Sequence, residues 1–442
     1  MFSLVSRFDS KKRFLTLMLV VILTIMVDST IGRVADFIPE QLSSSDGIAA
    51  FIAIAVIFAI TQYFILAYVK QSNQDTRARI LHLNTVHIIV SIAQYVLAGL
   101  LVFVILQMLI VQQYSLATLY ASYAISYGLW IITLALLARA FFTWYRLSSK
   151  NTMVVIFTIS MIAYVVNGIT GLATYLDILA QQKPIITSIE VAYFPEFSIV
   201  LLGSQIATIN LIASSVAYIF TWIGTVKLLY SYVKKLGKIK FWIIMGTAMV
   251  YYLISYPLFV LGYFTPSEDV DAMTNILIFS LAGILTGIIF GAAFLSVART
   301  LQNDSALRNH MIIAAYGFLL FYIAGSAMAA QAAYPPYGLV SVSFTGLSCY
   351  LIYSGLYSSA VIVSQDTALR LSIRKSVTEQ SKLLDSVGTA HMEQELQSTV
   401  LKIAKKYSDV MMEKTGVEAS MTESDIKEYI GMVTNEINKS RL

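Results

Sequence analysis

Ten long apolar runs, each able to cross a bilayer as a helix, leave this chain few folds other than a membrane-embedded one. A spanning helix needs about 20 mostly apolar residues. Runs of that kind occupy residues 14–34, 47–69, 84–111, 114–138, 151–176, 197–226, 241–264, 272–298, 311–333 and 339–364. Hydrocarbon offers no hydrogen bonds, so each run must satisfy its own backbone N–H and C=O groups, which a helix does. Composition agrees, with 57% hydrophobic and 12% charged residues, against about 25% charged in soluble domains. The expected class is all-α, a polytopic transmembrane helix bundle of about ten spans over 1–364 with a small helical tail over 365–442.

Two of these spans come from dividing longer stretches. Nothing ionised except His82 and His87 lies between Arg79 and Arg139, and nothing ionised lies between His310 and Asp366. The first stretch divides at Gln112-Gln113. The second divides at Pro335-Pro336, because proline cannot continue a helix and pushes the preceding residue towards extended backbone.

Charge sets the orientation. The N-terminal segment and alternate loops carry 17 Lys and Arg, the other loops only Arg33 and Lys183, and the tail the remaining 11. Lys and Arg concentrate on the cytoplasmic side, so an even number of spans with both termini cytoplasmic is expected, in a multi-pass protein of the cell membrane. Ten acidic residues, among them Asp28, Asp177 and Glu268, fall on the opposite face. Such a face either attracts cations and basic ligands or is the acidic remainder of the basic bias.

A basic start followed by the apolar run from Phe14 to Val27 also resembles a secretory signal. No small-residue cleavage pattern follows, and Asp28, Arg33 and Asp36 come instead, so a retained helix is expected. Asp28 near its outer end reads as a hydrated helix-end acid, with a binding or sensing acid as the alternative.

Chemistry is sparse. A single cysteine, Cys349, excludes an internal disulfide and a cysteine-based metal site, and the four scattered histidines form no ligand pair. No metal and no cofactor is expected. His391 reads as solvent-facing. Ionisable groups at membrane depth mark ion paths and proton relays, yet only His87 lies there. Neutral polar residues remain, and Asn167, Gln205 and Asn210 are the candidate ligand-binding set, with interhelical hydrogen bonding as the competing role. Nucleophile elbows, zinc-binding His-Glu motifs and phosphate-binding loops are absent from the sequence, so a non-enzymatic protein is expected.

Gly283, Gly287 and Gly291 place three glycines on one face of the eighth span, a surface for close helix packing with a partner that is internal or in a second subunit. Pro257, in the seventh span, is positioned to bend it.

The tail reads as three helical pieces. The first, Asp366 to about Val387, continues the tenth span and ends at Gly388. The second carries Met392, Leu396, Val400, Ile403, Tyr407 and Val410 on one stripe and stops near Thr415-Gly416. The third starts at a capping box, Ser420 with Glu423, and carries Ile426, Tyr429, Ile430, Val433 and Ile437. Its stripe needs a partner, either the second helix or another chain.

Three sequence features carry a family resemblance: Tyr334-Pro-Pro-Tyr-Gly338, the Ser- and Gly-rich run through Gly355-Leu-Tyr-Ser-Ser359, and Ser364-Gln-Asp-Thr-Ala-Leu-Arg370 with Ser372-Ile-Arg374. Over its last third, the chain resembles uncharacterised archaeal multi-pass membrane proteins, some with the look of sensor-kinase input modules. The resemblance implies a sensor without supplying site residues. The leading expectation is a sensor, receptor-like or scaffold module that engages a cytoplasmic protein through its tail. A transporter of a neutral or weakly polar solute is the alternative. The bilayer is the expected partner, nucleic acid is not, and a homo-oligomer stays open.

Overall fold

Why a mainly apolar run becomes a helix with two different faces is clearest in α3 (Leu81–Val111). Leu83, Val86, Val90, Leu97, Leu101, Val104 and Met108 recur at helical spacing and are buried. Ile88, Ile92, Val102, Leu106 and Leu109, on the other side, are exposed. Both faces are mainly apolar, because one meets protein and the other lipid, and His87 and Gln94 are the polar exceptions on the buried side.

A computed structural model describes residues 10–34, 44–73, 81–147, 151–188, 205–260, 269–301, 305–325, 334–366, 370, 379–415, 425 and 432. The further helices are α1 (Ser10–Val34), α2 (Ser45–Ser72), α4 (Leu116–Leu147), α5 (Thr152–Ala180), α6 (Gln205–Leu229) and the short α7 (Val233–Leu236). Next come α8 (Lys238–Val260), α9 (Asp269–Thr300), α10 (Ala306–Gly325), α11 (Leu339–Gln365) and α12 (Glu379–Thr415). Among the described residues eight helices, α2 to α6 and α9 to α11, are long and apolar enough to cross a membrane. The apolar stretch of α1, Thr16–Ile31, is shorter, and α8 lies on the seventh run. The chain is an all-α polytopic bundle. Pro257 falls in the last turn of α8, which continues through it to Val260.

The breaks between spans have local causes. α3 stops at Val111, Gln112 takes a left-handed conformation (φ 55°), and a three-residue strand β1 (Gln113–Ser115) leads into α4. β1 pairs antiparallel with β2 (Ile185–Thr187), Tyr114 opposite Ile186, which ties the α3–α4 turn to the segment after α5. The tenth span begins after Pro335-Pro336, with Gly338 at φ 91° immediately before α11.

α11 lies at the centre. Nearly every residue from Leu339 to Ser364 is buried, Tyr357 and Ile362 being the half-exposed exceptions. α10, α4, α12, α1, α3 and α2 all pack on it. Its sequence explains this, since Ser, Thr, Gly and Ala are spread around the helix and leave no bulky lipid-facing stripe. At Gly355 a Cβ would come within 2.5 Å of the Ala314 amide nitrogen, and at Gly317 within 2.6 Å of the Ile352 nitrogen, so α10 and α11 touch backbone to backbone.

The tail departs from expectation at its start. α11 ends at Gln365 and Asp366 is extended (ψ 100°), so the tenth span does not run on as one helix. Residues 379–415 form a single helix, and Gly388 lies inside it rather than ending it. Tertiary contact outweighs local propensity here: a Cβ at Gly388 would lie 2.3 Å from Val363 Cγ1 at the end of α11. The third tail piece lies outside the described residues apart from Asp425 and Met432, both helical and exposed.

Candidate functional site

One chain of polar and ionisable side chains runs along α11, from its N-terminal end on the acidic side of the bundle to its C-terminal end on the basic side. At the N-terminus four backbone amides lack intrahelical partners. Asp28 of α1, fully buried, supplies acceptors: Oδ1 takes the Gly338 amide, and Oδ2 takes both the amide and the hydroxyl of Ser341, each at 2.8 Å. The hydrated-acid reading of Asp28 is therefore corrected. The carboxyl acts as a helix cap delivered from another helix, favoured by the positive end of the α11 dipole.

One turn further on, the Ser126 hydroxyl of α4 donates to the Val342 carbonyl and accepts from the Gly346 amide at 3.1 Å, the two groups that ordinarily close one helical turn. Gln94 donates to the Ser343 carbonyl at 3.3 Å, and His87 Nδ1 lies 2.8 Å from the Tyr350 hydroxyl. Asn73, at the end of α2 and 1% exposed, donates to Ser354 at 2.7 Å and accepts from Ser358 at 3.1 Å. The i, i+4 spacing of the two serines puts both hydroxyls on one face, where a single amide spans them.

At the basic end α12 docks on α11, α4 and α5. Leu383, Leu384, Val387 and Ala390 are buried, and Asn151 donates to Ser386 across to α5. Leu383, Leu384 and Val387, with Phe141, Met311, Leu356, Ser359 and Ala360, line an apolar void of about 20 Å³ at this junction, room for about one water-sized molecule. His391 is 4% exposed, which corrects its solvent-facing reading. Its ring stands edge-on to Trp144 (6.0 Å, 83°) and Tyr357 (5.7 Å, 71°), which stack on each other at 6.1 Å. Burial pushes the imidazole pKa below its ordinary value, opposed by Glu395, whose carboxyl lies 3.7 Å from Nε2. Burial also raises the neighbouring Glu393 carboxyl.

The residues singled out in the sequence lie elsewhere. Asn210 Oδ1 on α6 accepts from Thr170 at 3.0 Å, and the same Thr170 hydroxyl reaches the Asn167 carbonyl at 3.3 Å. Asn210 thus meets Thr170 at the α5–α6 seam and Asn167 lies one turn away on α5, both half-buried, while Gln205 starts α6 exposed to its surroundings. Gly287 and Gly291 face α10, where added Cβ atoms would meet the Leu319 and Ala315 carbonyl oxygens at 2.8 and 3.0 Å; Gly283 is half-buried on the same helix. A second polar patch joins α5, α6 and α10: Thr221 lies 2.6 Å from Ser160 and 3.0 Å from Tyr164, which also bonds Tyr322.

Sequence reasoning missed Asn73 and His391 as members of this site and misread Asp28. The usable signals were that Asp28 is the only acid within an apolar run, and that the tenth run carries small polar residues on all sides. Among the described residues no three His, Cys, Asp or Glu side chains come together as a metal site. The chain matches no protein-family model, no curated protein and no solved structure.

Proposed function

We propose that this integral membrane protein is a signal relay or scaffold in which α11 couples the acidic face of the bundle to the tail helix α12 on the basic face. In this reading the basic loops and both termini lie in the cytoplasm, the protein carries out no catalysis, and α12 presents itself to a cytoplasmic protein. One observation carries the reading: α11, buried along nearly its whole length and packed against α1, α2, α3, α4, α10 and α12, is held at one end by Asp28 and at the other by the first turns of α12. A shift of α11 along its axis would disturb Val363 beneath Gly388 and the stacked Trp144 and Tyr357 around His391. The resemblance of the last third of the chain to archaeal multi-pass membrane proteins, some with the look of sensor-kinase input modules, points the same way.

The test uses three detergent-purified baits: the intact chain, a chain truncated after Gln365, and Trp144→Ala, which removes one wall around His391. A cytoplasmic protein held by the intact chain, lost on truncation and retained several-fold differently by Trp144→Ala supports the relay. No tail-dependent partner, together with uptake of a neutral solute by proteoliposomes, would overturn it in favour of transport. The specific support for transport is the hydroxyl patch around Thr221, Tyr164 and Tyr322.

A further inference from the structure

Among the described residues, only the first turns of α12 are docked on the bundle. Beyond His391 the helix carries Leu396, Val400, Ile403, Tyr407 and Val410 at spacings of four and three, the seam pattern of two packed helices. Ile403 is 50% and Tyr407 68% exposed. An apolar seam of this length on the water side of a membrane protein needs a cover.

The chain beyond α12 has the right length, link, charge and register to supply one. Four residues, Gly416-Val417-Glu418-Ala419, separate Thr415 from the capping box Ser420/Glu423. A link of two to five residues between helices makes them antiparallel neighbours. Two antiparallel helices have equal rise per residue, so facing positions lie equally far from the turn. Val410 and Ile426 are each 8 residues from Glu418, Tyr407 and Tyr429 each 11, and Ile403 and Val433 each 15. Charge agrees with the pairing. Residues 396–415 carry Lys402, Lys405, Lys406 and Lys414 against two acids, and residues 418–437 carry five acids against Lys427. The two described residues of that segment, Asp425 and Met432, are helical and exposed. They stand seven apart, on a single face about 100° away from the Ile426–Val433 stripe.

We propose that residues 420–437 fold back along α12 as an antiparallel helix and cover its Leu396–Val410 stripe, making the end of the chain a two-helix unit carried by the docked turns of α12. The proposal stands whether or not the relay reading does.

Cysteine pairs in the full-length, detergent-purified chain test it. Tyr407→Cys with Tyr429→Cys is in register, and Lys405→Cys with Met432→Cys points away from the seam. Under mild oxidation, read by intact mass, the first pair should close within one chain at least tenfold faster than the second. Equal rates overturn the proposal, and so do disulfides formed only between chains, which would assign the stripe to a second copy. Hydrogen exchange guards against misfolded cysteine variants. Removing everything after Thr415 from the otherwise unaltered chain should speed exchange of amides 396–410 at least tenfold, and unchanged exchange overturns the pairing.

Discussion

Asp28 and Ser341, 313 residues apart in the chain, are joined by two hydrogen bonds of 2.8 Å to one carboxyl oxygen, from the Ser341 amide and from its hydroxyl. A helix normally caps itself with the residue preceding its first turn. Here that residue is Gly338, which has no side chain to offer.

Replacing Asp28 with Ala should therefore leave the Gly338 and Ser341 amides buried without acceptors. An orphaned buried donor costs about 1–3 kcal/mol, so a loss of at least about 2 kcal/mol is expected. Thermal unfolding in detergent, followed by size-exclusion fluorescence, measures it. A midpoint equal to that of the wild type would mean that the cap is replaceable by water.

The α10–α11 contact predicts a contrast between two glycines. Gly355→Ala drives a methyl group into the Ala314 and His310 backbone at 2.5–2.7 Å and should destabilise the protein, by about 1–3 kcal/mol as overpacked cores do. Gly99→Ala, on the exposed face of α3 with nothing within 4 Å, should be neutral or mildly stabilising, since Ala is the better helix former. Similar effects at both positions would refute the backbone contact.

Asn73 bridging Ser354 and Ser358 should behave as one unit. Asn73→Ala and Ser354→Ala, alone and combined, form a cycle whose coupling is expected at about 0.5–1.5 kcal/mol. Strict additivity of the unfolding midpoints would show that the bridge contributes nothing beyond its parts.

Docking of α12 should weaken in acid through His391. Burial depresses the imidazole pKa in the docked tail below its ordinary value of 6.5, so a released tail binds the proton more readily. Docking is then at full strength above 6.5 and weakens as pH falls through 6.5 towards the depressed value. Glu393 acts in the opposite sense above its ordinary 4.5, because burial favours its protonated form. Spin labels at the exposed positions Arg146 and Ser398 should report a broader distance distribution at pH 5.5 than at 7.5 in a wild-type background. With His391→Gln that acid broadening should disappear; if it persists, another group is responsible.

Where sequence reasoning succeeded, the cause was local. The break at Gln112 and the start of α11 after Pro335-Pro336 follow from the end of an apolar run and from proline stereochemistry, both readable within a few residues. Where it failed, the deciding partner was distant. Gly388 looks like a helix stop, yet Val363 requires a small residue there within a continuing helix. His391 looks like a surface histidine until Trp144 and Tyr357 enclose it. Asn210 bonds Thr170 across the α5–α6 seam, one turn from Asn167, while Gln205 is exposed at the start of α6.

The sequence alone determined that this chain is a bundle of membrane-crossing helices, because hydrocarbon forces every apolar run to satisfy its own backbone. It could not rank those helices, since a lipid-facing and a protein-facing apolar residue look alike when both solvents are apolar. Tertiary structure decided that α11 is the enclosed helix, that Asp28 caps it and that α12 returns to its end. Each of these depends on side chains meeting across tens to hundreds of residues, a geometry that packing alone selects.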